Sequence, residues 1–353
     1  MKNATSVARG LTIGLDVGDR RTHVCVLDEQ GEVREEAQMR TDEAALRQRF
    51  EALPACRVAL ETGVHSGWMA RLLTGLGHEV LVANARQVAL ISGSDRKTDR
   101  TDAEKLARLA RVDPRLLSPV HVRGERSQQD LAVVRSRAVL VRTRTLLINH
   151  VRGVAKAAGV QLPRMSSASF ARRVLCELPD ELHSALVPLL GVLAELQKRL
   201  AELERRIEYL AEHGYPLTAR LRQVHGVGPV TALTYVLTLE DPGRMASRDV
   251  GPYLGLVPRR DQSGGRDPEL HITKSGNGPL RGLLVQCAQY ILGPHGQDSD
   301  LRRWGLKLAA RGDRTAKRRA VVAVARRLAV LLHALWRNAT PYEPLRRSGL
   351  AAS

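Results

Sequence analysis

Alternation of apolar and polar positions organises the first ninety or so residues. LTIGLDVG (11–18) alternates, THVCVLD (22–28) repeats the pattern, and EQGE (29–32) is a turn signal before EVREEAQMR (32–40). Three short strands in a meander are predicted. The period then becomes helical in TDEAALRQRFEAL (41–53), and RVALET (57–62) reads as a buried strand. GWMARLLTGLG (67–77) predicts a helix ending at Gly77, and HEVLVAN (78–84) predicts a further strand. Three meandering strands followed by alternating helix and strand describe a mixed α/β layer domain over residues 10–125. The ribonuclease H-like fold has this order, and so does half of an actin-like kinase domain.

The next stretch, 126–214, is helical and basic. Leu131, Val134, Ala138, Val141, Thr145 and Ile148 recur at alternating spacings of three and four. A second seam runs through Leu189, Leu193, Leu196, Leu200, Leu203, Ile207 and Leu210, with charges around it. Two such helices can close as an antiparallel hairpin within the chain, or the second, residues 189–213, can assemble with another copy. Between them QLPRMSSASFARRV (161–174) predicts a loop with a helix start. Residues 215–345 form a third, mostly helical domain, dense in Gly and Pro up to about 295.

Composition changes the picture in one respect. The chain has 353 residues and a formal net charge of +18, from 55 basic and 37 acidic side chains. That surplus points to a polyanionic partner, most often nucleic acid. Residues 301–328 alone carry ten Arg or Lys against one Asp, so phosphate contact is expected there, at Arg318 and Arg319 among others. Aromatics make up 3%, which argues against rows of base-stacking side chains. No apolar run of membrane-spanning length occurs and the N-terminus lacks an apolar leader core, so a soluble, cytoplasmic protein with no membrane association is expected. Cys25, Cys56, Cys176 and Cys287 lie far apart and read as reduced core residues.

The acids are sparse enough to be informative. Asp16 ends the first strand, Glu61 ends the fourth, and Asp99 and Asp102 follow in KTDRTDA at i, i+3 spacing, which projects both the same way on a helix. Strand ends in an α/β layer converge at one edge. Any one of these acids could be a turn, cap or ion-pair residue. Four gathered at one edge would repel one another without a positive ion between them. Mg2+, a hard cation that takes oxygen ligands, suits the set, and metal-bound carboxylates support phosphodiester chemistry.

Two further motifs lie in the C-terminal third. LRQVHGVGPVTALTYVL (221–237) has the form of a helix-hairpin-helix, in which Gly226 and Gly228 permit a tight turn and the next helix offers free N–H groups to a phosphate. Farther on, Ser263 sits in a Gly-rich turn with Arg259, Arg260, Arg266 and Lys274 nearby in sequence. A serine hydroxyl attacking phosphate needs such cations for the charge that develops on the phosphoryl oxygens. Ser275 ranks second.

These residues carry a resemblance. GLDVG, ALETG, the Asn of VANA and KTDRTDA occur in the order and spacing of the DEDD transposases of bacterial insertion sequences, whose first domain is RuvC-like. GVGPVTA, GLVP, SGG, ITKSGN and LRGLL resemble the C-terminal domain of the same family. Ala85 stands where the family usually has Pro, and His65 near where it has an aromatic. The resemblance implies that Asp16, Glu61, Asp99 and Asp102 bind magnesium and that Ser263 becomes linked to DNA through a phosphoserine. It further implies a recombinase acting on donor and target DNA with a structured guide RNA from the element, as a homodimer or homotetramer whose active site draws on two protomers. A plain RuvC-like nuclease or junction resolvase would use the acids alone. A sugar kinase is a second alternative, since GLDVGDR resembles that fold's phosphate loop, although the charge argues against it. A non-catalytic nucleic-acid binder would need no metal at all.

Overall fold

The computed structural model describes residues 10–87, 99–268 and 270–346, and the side chain of Asp99 lies outside that description. The chain divides into two compact units, Met1–Glu125 and Arg126–Ser353.

The first unit is built on a five-stranded sheet of order β3-β2-β1-β4-β5. Strands β1 (Thr12–Val17), β2 (Arg21–Leu27) and β3 (Val33–Arg40) form the expected antiparallel meander, with Thr12 opposite Leu27 and Val24 opposite Ala37. The second turn is set by Asp28, whose Oδ1 accepts from the N–H groups of Gln30 and Glu32, both at 2.9 Å. Helix α1 (Glu43–Phe50) begins at Asp42, which caps the Ala45 N–H at 2.9 Å. It leads to β4 (Arg57–Glu61), parallel to β1, and helix α2 (Ser66–Gly75) leads to β5 (Glu79–Ala83), parallel to β4. Helix α3 spans Asp99–Val112.

Period-2 alternation sorts the strand residues to two faces. Ile13, Leu15, Val24, Val26, Val58, Leu60 and Val82 pack against Leu46 and Phe50 of α1 and Met69 and Leu73 of α2. On the other face Ala59 and Ala83 meet Leu106 and Ala110 of α3, and Cys25 and Leu27 meet Ala103 and Ala107. A buried histidine ties the first layer together: His78 Nδ1 accepts from the Cys56 N–H at 3.3 Å, which leaves Nε2–H to donate to the Phe50 carbonyl at 3.2 Å.

In the second unit, helices α4 (Glu125–Ala157) and α6 (His183–Tyr209) are the two heptad helices, joined through the short helix α5 (Phe170–Leu175). They close within the chain as an antiparallel hairpin. Leu131 and Val134 pack with Ile207 and Leu210 at one end, and Val151 packs with Leu186, Leu190 and Leu193 at the other. Polar pairs keep the same register between these ends, Arg137 with Glu204 and Arg144 with Gln197. Of the second seam, Leu193, Leu200, Ile207 and Leu210 are buried, while Leu189, Leu196 and Leu203 are half-buried.

Helix α7 (Pro229–Leu239) is buried on every side from Thr231 to Leu239. Around it pack α8 (Gly278–Leu292) and α10 (Arg314–Asn338), with α9 (Asp300–Ala309) against α10. The hydroxyl of Tyr235, fully buried in α7, donates to the Ala329 carbonyl of α10 at 2.7 Å, and burial pushes its ionisation well above the ordinary phenol value. Cys25, Cys56 and Cys287 are buried, and burial pushes the Cys25 and Cys56 thiols up to about 11, so they are protonated packing groups. Cys176 departs from expectation. It follows α5 at the hairpin's far end and is exposed, because Phe170 and Val174 already fill the apolar side of that short helix. No helix among the described residues is long and apolar enough to cross a membrane.

Candidate active site

The direction of α3 places the sequence-predicted acids. Gly14 lies directly beneath the helix: a Cβ on Gly14 would fall 2.0 Å from the Ala103 carbonyl oxygen and 2.7 Å from the Ala107 nitrogen. Near the other end of the helix, Arg57 at the start of β4 donates from Nη1 to the Ala110 carbonyl at 3.0 Å, while its Nε donates to Glu79 at 3.0 Å. Helix α3 therefore runs antiparallel to β1 and β4, and its N-terminal turn, carrying Asp99 and Asp102, lies toward the carboxyl ends of those strands. Small residues at Ala103, Ala107 and Ala110 make the close approach possible.

Alternation completes the placement. Asp16 is on the same side of β1 as Gly14, and Glu61 on the same side of β4 as Ala59, so both project to the face that α3 covers. Asp102 is one helical turn before the buried Leu106, and Asp99 one turn before Ala103. The Asp102 carboxylate meets Lys105 Nζ at 3.4 Å. Asp16, Glu61 and the first turn of α3 thus share one edge and one face. Among the described residues no group of three or more His, Cys, Asp or Glu is close enough to hold a metal ion. The donor type fits magnesium, because carboxylates offer the oxygen ligands that this hard cation takes.

A histidine on the same rim was visible in the sequence only as an oddity of GVHSG. His65 follows the end of β4 and Asp19 follows the end of β1. Trp68 Nε1–H donates to His65 Nδ1 at 3.1 Å, and His65 Nε2 lies 3.4 Å from Asp19 Oδ1. An indole can only donate, so it fixes the neutral imidazole with its proton on Nε2, facing the carboxylate. The sequence places His65 and Trp68 three residues apart but gives no sign of Asp19, forty-six positions earlier.

The second constellation lies in the second unit. Ser263 occupies the tip of a β-ribbon. It exchanges backbone hydrogen bonds with Arg266 (2.9 and 3.3 Å), and the two intervening glycines both take positive φ, Gly264 at 53° and Gly265 at 81°. That is a type I′ turn, which needs residues tolerant of the left-handed region. Arg266 stands directly across from Ser263, whereas Arg259 and Lys274 belong lower on the ribbon, where Arg259 N–H donates to the His271 carbonyl at 2.9 Å and Lys274 N–H to Gly255 at 3.2 Å. Ser263, Arg259, Arg260, Arg266 and Lys274 are all exposed. Ser275 is half-buried, its hydroxyl 2.9 Å from that of Thr273. The root of the ribbon is tight: a Cβ on Gly255 would meet the Ser275 oxygen at 2.3 Å, and one on Gly276 the Tyr253 oxygen at 2.0 Å.

The glycine turn of VHGVG exists, with Gly226 at φ 93° and Gly228 immediately before α7. Its surroundings differ from an exposed hairpin. The preceding helix is only Thr218–Leu221, and α7 is a core helix whose N1 residue, Pro229, has no N–H to offer. Arg318 and Arg319 are exposed on the early turns of α10, opposite a face formed by Ala320, Val324, Leu328 and Leu332.

A five-stranded mixed sheet crossed by a helix, with acids at the carboxyl edge of its first and fourth strands, is consistent with the ribonuclease H-like class of nucleic-acid enzymes. Comparison with known proteins narrows the class. The DEDD transposase family of IS110 type matches residues 13–158, and the family described as Transposase IS116/IS110/IS902 matches residues 218–301. A probable family 20 transposase of Pseudomonas aeruginosa is 32% identical over 342 residues, covering 94% of this chain and 98% of the relative. The transposase for insertion sequence element IS1328 of Yersinia enterocolitica is 31% identical, covering 83% and 87%. That for IS1111A of Coxiella burnetii is 30% identical, covering 92% and 88%. The chain belongs to the IS110 family of insertion-sequence transposases, and it is a DNA transposase.

Proposed function

We propose that this transposase exchanges DNA strands with two sets of groups, the acids Asp16, Glu61, Asp99 and Asp102 and the hydroxyl of Ser263. The observation that carries the first set is the shared edge: Asp16 and Glu61 project to the face of the sheet where the first turn of α3 begins. Carboxylate oxygens of these residues would hold magnesium, which when bound supplies Lewis-acid stabilisation of charge on phosphate oxygens. Positive charge at the N-terminus of α3 favours carboxylates there even before any ion binds.

The observation that supports Ser263 is its exposure at the ribbon tip, with Arg266 across the turn. Its oxygen would form a bond to phosphorus as a P–O bond of the DNA breaks, the departing oxygen leaving as a hydroxyl. Arg259, Arg260 and Lys274 line the arms of the ribbon and would hold flanking phosphates. Guidance by a structured RNA, assembly as a homodimer or homotetramer and residence in the cytoplasm complete the proposal, and rest on family likeness. The division into a RuvC-like domain (10–125), a helical middle (126–214) and a C-terminal domain (215–345) follows the pattern of the sequence.

Two variants test the reading with element-end DNA, guide RNA and magnesium. Asp16→Asn should abolish strand exchange, leaving DNA binding intact. Ser263→Ala should abolish exchange together with the protein–DNA adduct on a denaturing gel. An enzyme that still cuts and joins without Ser263 would be a plain nuclease or resolvase of the acids alone.

A further inference from the structure

Helices α9 and α10 fold back on one another across a short turn at residues 310–313. Gly305 allows the close packing, since a Cβ there would fall 2.5 Å from Cγ2 of Val324. The turn end of this pair carries five cations, Lys307, Arg311, Arg314, Lys317 and Arg318, all exposed. None of the five makes an ion pair with a described residue. Arg303 pairs with Asp298 and Arg319 is not a free cation, so neither belongs to the set. The one acid of the turn is used as a helix cap: Asp313 Oδ1 accepts from the N–H groups of Thr315 at 2.8 Å and Ala316 at 3.3 Å.

Local structure accounts for two of the five. Lys307 lies in the last turn of α9 and Arg311 just beyond it, where the negative end of the helix dipole favours cations. Arg314, Lys317 and Arg318 lie in the first two turns of α10, where the dipole is positive and favours anions. At spacings of three and four they are also neighbours on one face, so they repel one another. They stand outside the apolar face of Ala320, Val324 and Leu328, and the fold gains nothing from their charge. A bound anion reverses the sign of both unfavourable terms.

Three observations choose that anion. The first N–H groups of α10 are already capped by Asp313, so the outward side chains, and not the helix end, make the surface. Those side chains spread too widely for one small anion: Arg314 to Arg318 spans about 6 Å along α10, and Lys307 to Arg311 about 6 Å more on the other arm. Duplex DNA presents one charge per about 1.7 Å of its axis, so several phosphates face such a patch in any register. Finally, the only aromatic residue between 301 and 328 is Trp304, which is half-buried with the Arg327 guanidinium 4.5 Å from its ring centre. No free ring is left for unpaired bases to stack on, which favours a duplex over a single strand.

We propose that the turn end of the α9–α10 pair is a docking surface for duplex DNA. Arg314, Lys317 and Arg318, supported by Lys307 and Arg311, hold backbone phosphates there without regard to base sequence. None of the five is among the residues assigned to the chemistry. The choice of DNA rests on membership of a DNA transposase family, and not on the roles given to the carboxylates or to Ser263.

The test uses the full chain and a duplex DNA of about 30 base pairs with no element sequence, titrated across a range of salt. Arg314→Ala/Lys317→Ala/Arg318→Ala should shrink the slope of log K against log salt by about 2.7, or about 0.9 per phosphate contact. Arg314→Lys/Lys317→Arg/Arg318→Lys keeps the charge and should keep the slope. The free triple alanine variant should melt at the parent's temperature or above it, because the cations it lacks opposed the dipole of α10. Asp16→Asn should keep the slope, so loss of strand exchange in that variant bears on the catalytic reading alone. An unchanged slope in the triple alanine variant overturns the proposal. So does a slope that changes only on an RNA duplex, or a melting temperature well below the parent's, which would make these cations part of the fold.

Discussion

Replacing Gly14 by alanine adds one methyl group at the point where β1 and α3 touch. The new Cβ would lie 2.0 Å from the Ala103 carbonyl oxygen and 2.7 Å from the Ala107 nitrogen, and both are backbone atoms that no rotamer change can move. Helix α3 must therefore retreat by more than an ångström for an ordinary contact. Overpacking of this kind costs about 1–3 kcal/mol. For a unit of this size that corresponds to a fall in melting temperature of roughly 4–12 °C. The catalytic effect should be larger. The helix that retreats carries Asp99 and Asp102, while Asp16 stays on the strand, so the edge opens. A misplacement of about 1 Å can cost on the order of 100-fold in rate. The assay pairs thermal melting with magnesium-dependent cleavage of element-end DNA, at temperatures where Gly14→Ala is folded. A variant that melts and cuts like the parent would refute the close approach and, with it, the placement of the acids.

The His65 arrangement predicts a spectroscopic signature. In 15N NMR at neutral pH, His65 should be the Nε2–H tautomer, and Trp68→Phe, which removes the indole donor, should populate both tautomers. A mixture already present in the parent would refute the contact. His333 predicts a pH dependence of stability. Its ring is fully buried with Nδ1 2.9 Å from the Ser247 hydroxyl, and burial, aided by Arg337 and opposed by the Pro242 carbonyl, lowers its pKa below 6.5. The unfolded chain thus takes up a proton before the folded one, so His333 contributes stability above about pH 6.5 that is lost as pH falls through and below that value. Urea midpoints at pH 7.5 and 5.5 should differ less in His333→Gln than in the parent; an equal difference would show that other groups cause it.

The sheet of the first unit was legible because β1 and β2 are short apolar runs, buried on both faces, and are bounded by turn residues such as Gly18 and Asp28. Its acids were legible as strand ends, but the face they share was not. That follows from Gly14 and the alanines of α3, whose meaning as a close contact appears only when the two are brought together. The heptads predicted helices α4 and α6, yet their pairing within the chain depends on partners such as Arg137 and Glu204, sixty-seven positions apart. Helix α7, enclosed on all sides, has no polar face, so its glycine turn alone carried the reading, and the turn is compatible with a core position as much as with a surface one. The ribbon around Ser263 had no alternating pattern to announce it, because its residues are solvated on both sides and its pairing is fixed at the turn and the root.

That root has a mechanical consequence. Backbone crowding at Gly255 and Gly276 fixes the base of the ribbon, and Arg281 bolts it down by donating to the carbonyls of both Leu254 (2.9 Å) and Ser275 (2.8 Å). Eight residues separate Gly255 from the hydroxyl at the far end, an arm of at most roughly 27 Å. With an arm that long, a tilt of about ten degrees at the base would sweep the tip sideways by roughly 4–5 Å, more than the length of a bond-forming approach. The direction in which the Ser263 hydroxyl points is therefore set by two glycines and an arginine at the opposite end of the ribbon.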